Sequence, residues 1–538
     1  MASYFIGIDV GTGSARAGIF DRRGVMVSKA KRDIALFQDG PDTAEQSSND
    51  IWRAVCESVR EALSHTDLTA DDIAGLGFDA TCSLVVVGPE GTPLPVGTSG
   101  DDERNIIVWM DHRALEQAHR INQTAHSVLT YVGGTISPEM ETPKLLWLKE
   151  NLSATYAAAW QFFDLADFLT WRATGDLARS VCTVTCKWTY LAHEGRWDEG
   201  YFRQIGLDDI ASDGFARIGT RIVDPGHPVG EGLSVSAARE LGLNPGTPVA
   251  AGLIDAHAGG IGSVGGSSDQ GSSITRLAYV FGTSACTMMS SQKPHFIPGI
   301  WGPYYSAMVP GLWLSEGGQS AAGAAIDYLT SMHPASHEAG AKAAAVGLSL
   351  PEWLADEAAQ ASPSLSEVAC LANQLHVVPD FLGNRAPMAN PHARGLIAGL
   401  GMERDLQSLV SLYVAGLLSL GYGLRQIVAA SRERGATIEA IALSGGAGRH
   451  AVVRQLIADS TGIPVLVSRE EDPVLLGSAM LAAAASKAFG TLQAAIANMS
   501  AVGDRYEPAS GHIADLHEQR FRAFETLQKT ALSLLQQP

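Results

Sequence analysis

The chain has 538 residues, 46% of them hydrophobic and 18% charged, a composition that excludes a disordered protein and a length that exceeds one compact core. Its 38 Lys and Arg against 57 Asp and Glu leave a formal charge of -19, which excludes nucleic acid and anionic membranes as expected partners. A small anionic ligand stays compatible, because backbone amides and a bound cation can offset the overall field locally.

The segment Met1 to Asp9 lacks a basic region followed by a long apolar one, so no signal peptide is expected and the expected location is the cytoplasm. Alternation predicts strands over 5–10, 15–20 and 25–29, joined by the turns Gly11-Thr12-Gly13-Ser14 and Asp21-Arg22-Arg23-Gly24. Asn49 or Asp50 is the expected N-cap of an amphipathic helix reaching about Leu63. The run 265–273, rich in Gly and Ser, reads as a linker, with one domain over 1–268 and a second over 269–538. Beyond it the opening pattern returns: a strand over 277–281, Gly282-Thr283-Ser284, then a strand over 285–289. Two halves that open alike predict a duplicated architecture with a cleft between them.

Further along, 406–428 reads as a long apolar helix and 455–461 as a helix ended by Gly462. Asp472-Pro473 should cap and start a buried helix running to Ala485, and 514–535 is an amphipathic helix. No uninterrupted apolar run reaches the roughly 18 residues of a membrane span. Cys56, Cys82, Cys182, Cys186, Cys286 and Cys370 are too scattered for a disulfide framework, and Cys182 and Cys186 lack the second close pair of a structural zinc site. Reduced thiols are expected.

Three glycine-rich loops carry the candidate chemistry. A dinucleotide fingerprint would need a glycine where Arg16 stands and a helix where a strand follows, and a Walker A loop would need a Gly-Lys pair that the chain lacks. A hairpin loop whose amides form an anion nest remains, with Asp9 before it as a candidate Mg²⁺ ligand. An ordinary hairpin with an edge Asp explains that motif equally well by itself. Gly282 and Thr283 form a second such loop, and Gly445 and Gly446, ahead of a helix, a third. Together they point to a nucleotide.

The motifs in order are Gly7-Ile8-Asp9-Val10-Gly11-Thr12-Gly13-Ser14, Trp109-Met110-Asp111-His112-Arg113, Pro143-Lys144-Leu145-Leu146-Trp147 and Ala251-Gly252-Leu253-Ile254-Asp255-Ala256-His257. Phe281-Gly282-Thr283-Ser284, Phe381-Leu382-Gly383-Asn384-Arg385-Ala386-Pro387 and Ser444-Gly445-Gly446-Ala447 complete the series. The chain resembles the FGGY carbohydrate kinases over nearly its whole length. That resemblance implies an α/β protein with the duplicated actin-like ATPase (ribonuclease H-like) fold, two domains around a central cleft. It implies ATP held by Gly11, Thr12, Gly13, Ser14, Gly282, Thr283, Gly445 and Gly446, with Mg²⁺ near Asp9. Asp255 is implied as the catalytic base, a role suited to a carboxylate that aims a sugar hydroxyl. Thr81, Cys82, Asp111, Lys187 and Glu316 are implied as sugar contacts.

Cys186-Lys187-Trp188 and Ser315-Glu316-Gly317 resemble the ribulokinase side of the family, so D-ribulose is the first expected substrate. L-ribulose, xylulose or a pentitol are the alternatives. Ala415-Gly416-Leu417-Leu418-Ser419 and Glu139-Met140-Glu141-Thr142-Pro143 depart from the patterns of other members. His112 and His257 read as hydrogen-bonding residues, and Arg113 as a brace for Asp111. The rival from another class is a non-catalytic ATP-binding sensor of the same fold, which need not keep the four sugar-site residues Asp255, Asp111, Lys187 and Glu316. A homodimer is compatible with the sequence.

Overall fold

The computed structural model describes residues 3–265 and 273–535, so residues 266–272 of the expected linker, and the boundary drawn within them, lie outside the described residues. The chain opens with β1 (Tyr4–Val10), β2 (Ser14–Phe20) and β3 (Met26–Asp33). Gly11 to Ser14 closes the first hairpin with Val10 opposite Ala15, and β3 runs past the expected 29 because it pairs with β2 as far as Asp33. Helix α1 (Ser48–Ser64) covers this sheet, and Ser47, rather than Asn49 or Asp50, caps it by accepting from the Asp50 amide. Asp50 instead receives the Ala35 amide at 2.9 Å.

The first half continues with β4 (Ile73–Ala80), α2 (Val181–Trp188), β5 (Leu253–Ile254) and α3 (Asp255–Val264). Its main sheet has the order β5-β4-β1-β2-β3. The second half is built on β6 (Arg276–Phe281), β7 (Ala285–Ser291), β8 (Trp301–Tyr305) and β9 (Trp313–Gln319). It continues through α4 (Leu406–Glu433), β10 (Ala440–Ser444), α5 (Ala451–Thr461), β11 (Val465–Ser468), α6 (Pro473–Ala485), β12 (Val502–Tyr506) and α7 (His512–Leu535). These strands form a seven-stranded sheet in the order β8-β9-β7-β6-β10-β11-β12. In each sheet a central strand, β1 or β6, has an antiparallel hairpin partner on one side and a parallel strand on the other. The duplication expected from the two glycine turns is therefore a duplication of topology.

Two helices join the halves. Helix α6 lies on β1 and β4 of the first sheet, and α3 crosses it while packing on the second. Glycines make the approach possible: a Cβ on Gly7 would stand 2.1 Å from the Leu475 carbonyl, and one on Gly477 2.0 Å from that of Ala258. Asp472 precedes α6 as expected but makes no side-chain cap. Its carboxylate accepts instead from Arg16 at 2.8 Å and Lys29 at 3.0 Å, another tie between the halves. Helix α4 has the length and mean hydropathy of a membrane span, yet 78% of its apolar window is buried within the protein.

Candidate functional site

The two hairpin turns repeat one hydrogen bond. Gly11 donates its amide to Ser14 O at 3.0 Å, and Gly282 donates to Ser284 O at 2.9 Å. The Gly13 and Thr283 tips are exposed. Thr12 is fixed on both sides: its hydroxyl accepts from Trp109 Nε1 at 3.0 Å and its carbonyl from Gln46 Nε2 at 2.7 Å. At the third loop Gly445 has φ 96°, and a Cβ there would stand 2.4 Å from Phe281 O, which seats this loop against the second hairpin. Gly446 faces open space. Beside it lies a cavity of about 270 Å³ bordered by Phe281, Asp327, Tyr413 and Arg449. The following helix, α5, is capped by the His450 ring, which accepts from the Val452 amide at 3.1 Å, so that terminus is less free than the glycine pattern suggested.

Three carboxylates meet where β1, β4 and β5 end. Asp9 stands opposite Asp79 in the β1–β4 register, and Asp255 follows Ile254, which pairs with Ala80. Asp79 is fully buried and escaped the reading of the sequence; the available signal was one ionisable residue in the apolar run Gly77-Phe78-Asp79-Ala80. Burial and the nearby Asp9 hold its carboxyl well above the usual range. Ser478 donates to its Oδ2 at 2.5 Å, while Oδ1 finds no donor among the described residues. Asp9 accepts from Arg16 Nε at 2.6 Å. This oxygen-only donor set, with one buried oxygen unsatisfied, fits Mg²⁺.

Asp255 is half-buried at the start of α3, in its first turn rather than at its N-cap, and accepts the Ala256 amide at 2.7 Å. Burial, followed by the charge of Asp9, pushes its pKa up to about 6. The nearby face carries Thr81, Cys82, Lys187 and Glu316, all buried. Lys187 is 5% exposed, and its ammonium makes no hydrogen bond or ion pair among the described residues. It sits 5.1 Å from the centre of the Trp301 ring, with the Arg385 guanidinium 5.5 Å from the same ring. Thr81 exchanges a hydrogen bond with Ser83 at 3.0 Å. Burial would raise the Glu316 carboxyl, but Lys187 and His257 bring it down to about 2.

Asp111 differs from its neighbours. Its Oδ1 accepts from the amide and Nε of Arg113 at 2.9 and 2.8 Å, and its Oδ2 from the Ala44 amide and Arg113 Nη2, both at 2.7 Å. A carboxylate offers about four lone-pair positions, so none is left for a sugar hydroxyl. Arg113 also bonds Glu45 at 2.8 Å, so the pair is a buried brace under the site. His112 lies 3.6 Å from Glu139. Arg385, Trp301 and Glu139 also surround Lys187, and nothing local in the sequence shows that these distant side chains share a pocket. The same holds for His257, whose ring meets Cys182 and Cys186 of α2; their donor atoms lie within 4.8 Å of one another.

Models of the FGGY family of carbohydrate kinases match both halves, the N-terminal domain over residues 4–262 and the C-terminal domain over 277–486. The chain belongs to this family. The FGGY kinase is 47% identical over 511 residues to the FGGY carbohydrate kinase domain-containing protein of Homo sapiens, covering 93% of this chain and 92% of that protein. It is 38% identical over 518 residues to a D-ribulokinase of Saccharomyces cerevisiae, covering 91% of this chain and 72% of the yeast protein. Among solved structures, the ligand-bound xylulose kinase of Lactobacillus acidophilus superposes with a TM-score of 0.79 at 20% identity, over 98% of both chains. The xylulose kinase of Rhodospirillum rubrum gives a TM-score of 0.79 at 20% identity, over 99% of this chain and 100% of that one. At that identity the likeness establishes the fold, the actin-like two-domain architecture. The protein is an ATP-dependent carbohydrate kinase.

Proposed function

We propose that this FGGY kinase transfers the γ-phosphoryl group of ATP to the terminal hydroxyl of a ketopentose, converting D-ribulose to D-ribulose 5-phosphate. The observation that carries the reading is the buried, unpaired Lys187 ammonium facing the same region as Asp255 and Glu316. A cation on a largely buried side chain, with no acceptor among the described residues, calls for a hydroxylated ligand to complete it. The 38% identity to a D-ribulokinase supports the choice of sugar.

In this reading Lys187 and Glu316 orient the sugar, with Thr81 and Cys82 lining its pocket, and Asp255 accepts the proton of the attacking hydroxyl. The new O–P bond forms as the bond from the γ-phosphorus to the bridging oxygen of ADP breaks. The amides of Gly11 to Ser14 and of Gly282 and Thr283 bind the phosphates, and the cavity beside Gly446 takes the nucleoside. Mg²⁺ held by Asp9, with Asp79 beside it, would neutralise phosphate charge. Asp111 supports the pocket through Arg113 and is assigned no direct contact. The domain division at 268/269 and the cytoplasmic location remain part of this proposal.

Sugar-dependent ADP release tests it, with D-ribulose, L-ribulose, D-xylulose, L-xylulose, ribitol and glycerol as the panel. D-Ribulose should give the highest kcat/KM. Preference for another member would overturn the substrate while keeping the chemistry, and ATP binding with no turnover on any sugar would favour the non-catalytic sensor.

A further inference from the structure

His257 and Cys182, buried beside the site, have no part in the reading above. His257 is completely buried in the first turn of α3, two residues after Asp255. Its Nδ1 lies 3.0 Å from Cys182 Sγ, and its Nε2 lies 3.3 Å from Glu316 Oε2. Both ring nitrogens are engaged, so the ring cannot turn without losing a partner. Cys182 is itself fixed, since the Ile254 amide donates to its sulfur at 3.4 Å and Ser180 caps its helix. Glu316 stands on β9 of the other half, and among the described residues its bond to His257 is the only hydrogen bond its carboxylate makes.

We propose that His257 is a positioning residue that ties the helix carrying Asp255 to Glu316 across the cleft and so fixes the Glu316 carboxylate for the sugar. The inference rests on the reading of Glu316 as a sugar contact. Helix α2 supplies both Cys182 and Lys187, so the chain Cys182–His257–Glu316 locks together the three elements that carry Lys187, Asp255 and Glu316. Electrostatics agree with the geometry: burial disfavours a charged ring, yet Cys182 and Glu316 on its two sides raise its pKa. A soft metal ion would also suit two thiols and an imidazole, but no fourth ligand joins them among the described residues.

The test is a double-mutant cycle on the full-length protein, with KM for sugar, KM for ATP and kcat read separately. His257→Leu should raise the KM for D-ribulose about tenfold and leave the KM for ATP within about twofold. His257→Gln, which keeps a neutral donor, should recover part of the loss. Glu316→Gln should raise the sugar KM by itself, and adding His257→Gln to it should add less than about twofold, because the two act as a unit. If His257→Leu does not fold, the Gln pair alone decides. Additive effects, or a His257→Gln enzyme with unchanged sugar KM beside an impaired Glu316→Gln enzyme, would overturn the inference and leave the site reading intact. An unchanged sugar KM in Glu316→Gln would overturn both. One equivalent of zinc in the purified protein, lost in Cys186→Ser, would replace the hydrogen-bonded chain with a metal site and overturn it as well.

Discussion

At the scale of single residues, two carboxylates that look alike in the sequence receive opposite environments. Asp111 has every acceptor position filled by Arg113 and the Ala44 amide, whereas Asp255 accepts one amide and has a pKa raised to about 6 by burial and Asp9. In its proposed role as base Asp255 acts only when ionised, so kcat/KM should fall tenfold per pH unit below about 6 in a pH–rate profile. Asp255→Asn should lower kcat by about 10²- to 10⁴-fold with ATP affinity unchanged in a binding titration. Asp111→Ala should instead act on stability, losing about 3 kcal/mol in urea unfolding, because it strands part of the buried Arg113 charge. Asp79 gives a third case. Its folded pKa lies above its unfolded value, so at neutral pH the ionised form weakens the fold. Asp79→Asn should therefore raise stability by about 1 kcal/mol while reducing turnover, read from unfolding and rate measurements on one preparation.

At the scale of elements, the strands, both hairpin turns and the helices starting near Pro473 and ending at Gly462 were legible, because their periodicity and punctuation are local. Caps were less so. Ser47, Asn49 and Asp50 are all suitable, and the choice of Ser47 follows from Asp50 being drawn to the Ala35 amide, a contact across 15 positions. The same reason hid Asp472, whose partners Arg16 and Lys29 lie more than four hundred residues away. Of the candidate site, the glycine loops and Asp255 stood in motifs, but the burial of Asp79, the brace on Asp111 and the ring of His257 exist only once distant segments meet. The junction of β1 and α6 makes the point testable. Gly7→Ala would drive a methyl into the Leu475 carbonyl and should cost about 2 kcal/mol or more of stability, measured by denaturant unfolding.

For the whole molecule, α3 and α6 cross between two sheets of matching topology, and the candidate residues come from both halves. Asp9, Asp255 and Lys187 belong to the first half, and Gly282, Glu316 and Gly446 to the second. A site divided in this way gives each ligand a reason to favour the arrangement that the other needs. The most direct measurement is ³¹P NMR of Mg-ATP and D-ribulose with the wild-type enzyme and with Asp255→Asn. The wild type should give a new sugar phosphomonoester signal and ADP, and the variant neither, although it still binds ATP. Inorganic phosphate released regardless of sugar, or equal product from the variant, would contradict it.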